Sequence, residues 1–233
     1  MTYKRALIIG AGAGLSASLA RKFKASGATV DLASRSTEDL ADLAAETGAT
    51  VHTCDAMWAE DIAAVFEAME SVGGAPDVVV YNPSARVPGP IEEIDGDAVE
   101  RAVSITALGA FHTAQNAAQR MIPAGRGAIL FTGASAGVKG FPRSAAFAMG
   151  KFALRGLAQS LARELHPKGV HIGHFVIDGG IRNPARPERM DPADAPDSML
   201  CPDAIAGEYM SHLAQDRSCW SWEVELRPWV ERF

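Results

Sequence analysis

The chain has 233 residues, a formal net charge of −6, 48% hydrophobic and 21% charged residues, the balance of a packed globular protein and not of a disordered or fibrous one. Its acidic balance argues against nucleic-acid binding, which needs a basic face, and no run approaches the ~20 apolar residues of a membrane span. Cys54, Cys201 and Cys219 are odd in number and widely spaced; with no signal-peptide pattern at the N-terminus, they point to a reducing cytoplasm, no disulfide framework and no metal.

In chain order, the first β-rich run is "RALIIG" (5–10), and Leu15, Leu19 and Phe23 then recur at helical spacing. Further apolar runs follow at "ATVDLA" (28–33), "ATVHTC" (49–54) and "DVVVY" (77–81), compositions that suit a parallel sheet covered on both faces. An alanine-rich helix is expected over 97–120, then the strand "GAILFT" (127–132), then a helix carrying Leu154, Leu157, Leu161 and Leu165. After the sixth run, "GVHIGHFVI" (169–177), five prolines within 182–202 argue against a long regular element. Residues 182–205 are a candidate substrate lid, with a plain surface excursion as the alternative. "WSWEVEL" then alternates, Trp220, Trp222, Val224 and Leu226 against Ser221, Glu223 and Glu225, as a half-exposed seventh strand would. The order predicts an α/β fold, one domain over 1–233: a Rossmann-type, doubly wound, seven-stranded mostly parallel sheet with helices on both faces. Its ligand belongs beyond the carboxyl ends of the strands.

Between the first strand and first helix, "GAGAGLSASLARKF" places Gly10, Gly12 and Gly14 where backbone amides and a helix N-terminus meet a pyrophosphate with no Cβ in the way. At the end of the second strand an acid would accept the ribose hydroxyls of NAD; Ser34 and Arg35 stand there instead, which favours NADP over NAD.

The glycine turn resembles the TGxxxGxG of the short-chain dehydrogenase/reductase family, with Ile9 for its threonine and Ser16 for its last glycine. Asp55 in "HTCDAM" resembles the family's aspartate beside the adenine, and Asn82 in "VVVYNPSA" resembles its NNAG turn. "VIDGGIRN" resembles its PG motif, with Asp178 for the proline, Gly179 retained and Asn183 for the usual threonine. The resemblance spans about 5–185. It implies cofactor contacts at Gly10, Gly12, Gly14, Leu15, Ser34, Arg35, Asp55, Ala56, Asn82 and Lys151, and through the backbone amide of Ile181 at the nicotinamide.

In that family a YxxxK helix supplies a tyrosine acid/base and a lysine that binds the nicotinamide ribose. A serine thirteen residues before the tyrosine binds the substrate carbonyl, and an asparagine on the preceding long helix holds a water. Here Lys151 is retained, but Phe147 stands at the tyrosine, Ala134 at the serine with Ser135 one residue late, and Thr106 at the asparagine. Phe147 passes no proton, and a positioned general acid is worth about 10²–10⁴ in rate. Three routes would restore activity: Ser135 swinging into the serine's place, a proton donor near the lid such as Tyr209, or a substrate needing little proton transfer at oxygen. The sequence thus predicts an NAD(P)-dependent oxidoreductase acting on a small organic molecule with an altered acid/base set. The alternative is a catalytically impaired NADP-binding sensor, scaffold or subunit partner. The resemblance also implies a homodimer or homotetramer through helices 97–120 and 151–166.

Overall fold

The β-rich runs become strands and the amphipathic stretches become helices in the computed structural model, which describes residues 3–183 and 185–231. Met1, Thr2, Pro184, Arg232 and Phe233 lie outside the described residues, so the candidate lid is described except at Pro184. The first half of the chain runs β1 (Arg5–Ile9), α1 (Leu15–Ala25), β2 (Thr29–Ser34), α2 (Ala41–Thr47), β3 (Thr50–Thr53), α3 (Ala59–Gly73) and β4 (Val78–Tyr81). The second half adds α4 (Gly96–Val103), α5 (Gly109–Ala124), β5 (Gly127–Thr132), α6 (Ala145–Leu165), β6 (Val170–Ile177), β7 (Gly180–Ile181), β8 (Met199–Leu200), α7 (Pro202–Leu213) and β9 (Glu223–Leu226).

Among the described residues a seven-stranded sheet forms in the order β3-β2-β1-β4-β5-β6-β9, with every pairing parallel. Because side chains alternate across a strand, Ile8, Val80 and Leu130 pack with Leu19 and Phe23 of α1 and Ile205 of α7. Leu7, Val79 and Ile129 face the other way, onto Phe66 of α3, Ala114 of α5 and Leu154 of α6. Both layers bury apolar surface, so the central strands need almost no polar residues.

Three elements depart from expectation. The helix expected over 97–120 is interrupted: a π-helical turn, Ser104–Leu108, separates α4 from α5. The Tyr81 hydroxyl donates to the Ile105 carbonyl inside that turn, which gives a partner to a carbonyl displaced from regular helical bonding. The irregular segment after β6 ends at Cys201, because Pro202 opens α7 at a position where its missing N–H costs nothing; the last four residues of the candidate lid, 202–205, are therefore the first turn of α7. The two-residue ladder of β7 with β8 ties the ends of that segment together. Trp220 precedes β9, and its indole stacks on the His171 ring at 4.3 Å.

His171 also stacks on His212 at 4.1 Å, and both rings, with His174, are shut inside the fold. Burial pulls the His171 and His174 pKa values down to about 4, a hydrogen bond from His174 Nδ1 to the Glu223 carboxylate only partly opposing this at His174. Burial and then the neighbouring His171 pull His212 down to about 3. The unfolded chain therefore binds more protons than the folded one below the ordinary histidine value of 6.5, and stability falls as pH drops from there through about 4. At about 1.4 kcal/mol per pKa unit, three such rings place several kcal/mol in that window. Urea unfolding at pH 7 and pH 4.5 is expected to show this loss, reduced in the His212→Phe variant; equal midpoints at the two pH values would refute the assignment.

Candidate functional site

Beyond the carboxyl ends of the strands lies a cavity of about 1080 Å³, at the upper limit of ordinary small-ligand pockets. Its first wall is the turn from β1 into α1. Gly10 has φ +78°, and a Cβ there would meet the Pro83 ring at 2.7 Å, so the turn is closed to other residues twice over. The Gly10 and Ala11 amides donate to the Ala33 carbonyl at 2.9 and 3.0 Å. Ser16, where a glycine was expected, has a bonding role: its hydroxyl donates to the Gly10 carbonyl at 3.1 Å and accepts from Asn82 Nδ2 at 2.9 Å. Asn82 Nδ2 also donates to the Gly10 carbonyl, at 3.2 Å, locking the end of β4 to the glycine turn.

No side chain among the described residues caps the N-terminus of α1. Its first-turn amides and helix dipole are thus available to an anion at Gly12, Gly14 and Leu15, which all line the cavity. Ser34 and Arg35 line it at the end of β2, and Arg35 has no carboxylate partner among the described residues. Asp55 and Ala56 line it after β3; Asp55 Oδ1 accepts from the Met57 amide at 3.0 Å, as a turn cap does. Ile181 belongs to the same lining from β7.

The opposite wall is α6 and the turn after β5. Ala134, Ser135, Phe147 and Lys151 all line the cavity. Lys151 is buried, and its Nζ donates to the Thr132 carbonyl at 2.7 Å. Burial, and then the charge of Arg86, lowers its pKa to about 7. Thr106 lies outside the lining. Its buried hydroxyl accepts from the Ala85 amide at 3.2 Å, so it supports the loop after β4 from behind the wall.

Two further placements bear on the chemistry. Tyr209, expected near the lid as a proton donor, is instead fully buried under the sheet. Its hydroxyl bonds Thr132 Oγ1 at 2.9 Å and its ring stacks on Phe175; burial raises its pKa, so it does not serve the cavity. Arg86, absent from the sequence reading, lies in the loop after β4 with its guanidinium carbon 4.1 Å from the Phe147 ring centroid. The signal for it was positional: a long basic residue in a loop beyond the carboxyl end of a central strand.

The sequence model of the short chain dehydrogenase family matches residues 4–189. The chain belongs to the short-chain dehydrogenase family. This family is one of oxidoreductases. The present short-chain dehydrogenase is 33% identical over 217 residues to the cyclic-di-GMP-binding biofilm dispersal mediator protein of Escherichia coli (strain K12), covering 88% of this chain and 87% of that protein. A short-chain dehydrogenase from Rhodopseudomonas palustris is similar at 34% identity and a TM-score of 0.82, over 97% of this chain and 99% of that one. A metagenomic short-chain oxidoreductase in complex with NADP is similar at 26% identity and a TM-score of 0.82, over 97% of each chain. No helix among the described residues is long and apolar enough to cross a membrane.

Proposed function

We propose that this short-chain dehydrogenase binds NADP(H) in preference to NAD(H) and transfers hydride to or from a small organic substrate with an altered acid/base set. The observation that carries this reading is one cavity walled on one side by an uncapped helix N-terminus behind a glycine turn and on the other by the buried Lys151. Support for NADP comes from Arg35, for which no carboxylate competes at the end of β2, and from the NADP complex of the metagenomic relative. When bound, the dinucleotide supplies or accepts the hydride. The chain's own part is to hold its phosphates on the α1 amides, to bind ribose hydroxyls at Lys151 Nζ, and to fix the face presented to substrate by the Ile181 strand. Ser135, on the cavity wall, is the nearest hydroxyl to the missing serine along the chain.

Titration calorimetry with NADPH and with NADH tests the cofactor half. Micromolar NADPH binding with much weaker NADH is expected, and absence of both would overturn the reading. Phe147→Tyr tests the chemistry: the ring position is kept and an acid/base is gained, so carbonyl reduction should rise by about 10²–10⁴.

A second reading, an NADP-binding sensor or scaffold with little catalysis, draws support from Phe147 and Ala134, neither of which has a proton to give. The E. coli relative's name, a cyclic-di-GMP-binding biofilm dispersal mediator protein, supports it too. Tight NADPH binding with no gain in Phe147→Tyr would favour it. The expected homodimer or homotetramer belongs to the same proposal, supported by exposed Leu108, Phe111, Met149 and Phe152 around α5 and α6.

A further inference from the structure

We infer that Arg86, laid over the Phe147 ring, is the specificity residue of this site and that the substrate it selects carries a carboxylate next to the reacting carbon. The inference rests on the proposed reading of Lys151 and Phe147 as the reaction end of the cavity.

Arg86 lines the cavity and, among the described residues, has no carboxylate and no hydrogen-bond partner. Its guanidinium carbon stands 4.1 Å from the centroid of the Phe147 ring, while Lys151 Nζ approaches the same ring at 5.9 Å. An arginine stacked on an aromatic face keeps its N–H edge open, and that edge matches a carboxylate in two parallel bonds. Phe147 thereby acquires a reason of its own: it has no proton to give, but it offers a flat support that fixes the direction of a five-donor cation.

The surrounding charge points the same way. Arg189 lines this part of the cavity and its charge, after burial, depresses Arg86; Arg86 in turn acts on Lys151. Three cations therefore crowd one region. The carboxylates of the cavity are engaged or placed otherwise. Asp178 is shared by Lys139 at 3.6 Å and Arg227 at 3.7 Å. Asp55 caps the Met57 amide at the adenine end, Arg182 is taken by Asp191 at 3.1 Å, and Glu231 lies exposed on the lining. Uncompensated like charge costs stability, and an anionic ligand relieves that cost on binding.

The test compares 2-oxocarboxylates of increasing chain length with their methyl esters, by calorimetry on the protein with and without saturating NADP. Wild type is expected to bind at least one acid about tenfold more tightly than its ester, near 1.4 kcal/mol. Arg86→Leu should abolish that preference, Arg86→Lys should keep only part of it, and Arg189→Gln should weaken it. Arg86 and Arg189 are exposed, so the variants should fold, with unfolding midpoints close to that of wild type. Equal binding of acids and esters by wild type, no binding of any acid at millimolar concentration, or a preference retained in Arg86→Leu would each overturn the inference. Loss of NADPH binding in wild type would instead sink the cofactor reading, and the acid preference without cofactor would still decide this one.

Discussion

Gly109→Ala is expected to lower the unfolding midpoint by roughly 6–12 °C, the shift that about 3 kcal/mol produces in a chain of this size. Helix propensity alone points the other way, since alanine at an interior helical position gains about 1 kcal/mol over glycine. Packing reverses the sign. Gly109 opens α5 where the helix presses on the loop after β3, and a Cβ there would overlap the Ala56 carbonyl oxygen and the Tyr81 hydroxyl. Both neighbours are fixed: Ala56 is backbone, and the Tyr81 hydroxyl is bound to Ile105 within the π-helical turn. Relief would require α5 to move outward, taking with it the turn that carries Ile105 into the cavity wall. The variant should therefore lose NADPH affinity along with stability. Thermal unfolding by circular dichroism checks the first effect; an unchanged midpoint would show that α5 shifts without cost.

Lys151→Met is expected to weaken NADPH about 10- to 100-fold, the worth of hydrogen bonds from a charged donor, while making the protein without cofactor more stable. The folded chain holds Lys151 at a pKa of about 7, below the ordinary 10.5, so between those values the unfolded chain carries the extra proton. The sign follows: stability contributed at this site is present above 10.5 and is lost as pH falls through about 7. At pH 6 the charged ammonium is buried at full cost. Methionine removes that cost and forfeits one bond, to the Thr132 carbonyl, leaving a net gain on the order of 1 to 3 kcal/mol. The gain should shrink by pH 9, where the wild-type lysine is neutral in the fold. Unfolding midpoints of both proteins at pH 6 and pH 9 decide the matter, and a variant less stable at both would mean that Lys151 holds the wall together instead of straining it. A lysine kept at such a cost is better explained by binding than by folding.

The sheet was legible because its central strands are buried on both faces and so announce themselves by composition alone. "DVVVY" became β4 and "GAILFT" became β5 for this reason. The glycine turn and the Phe147 to Lys151 spacing were legible because each lies within a few residues of chain. What escaped was whatever depends on distant residues meeting. Arg86 finds Phe147 only once the loop after β4 meets the start of α6. Tyr209 reads as a free phenol until α7, which carries it, packs onto the sheet, and Thr106 reads as a degraded asparagine until its hydroxyl meets the Ala85 amide. The break at Ser104–Leu108 was hidden because an alanine-rich run fits helix everywhere, and only the approach of Tyr81 says where it must widen.

The order of the sheet also sets a hazard during synthesis. β6, all eight residues of which are buried in the finished fold, pairs with β5 on one side and β9 on the other, but β9 begins only at Glu223. A ribosome adding about 5–20 residues per second leaves β6 as the nascent sheet's edge for roughly two to ten seconds. In that interval the amides of His174 and Asp178 lack the Trp222 and Leu226 carbonyls that they later bond at 2.7 and 2.8 Å. An apolar strand with open backbone groups is a template for another chain, so the yield of native protein depends on β9 arriving before a neighbouring nascent chain does.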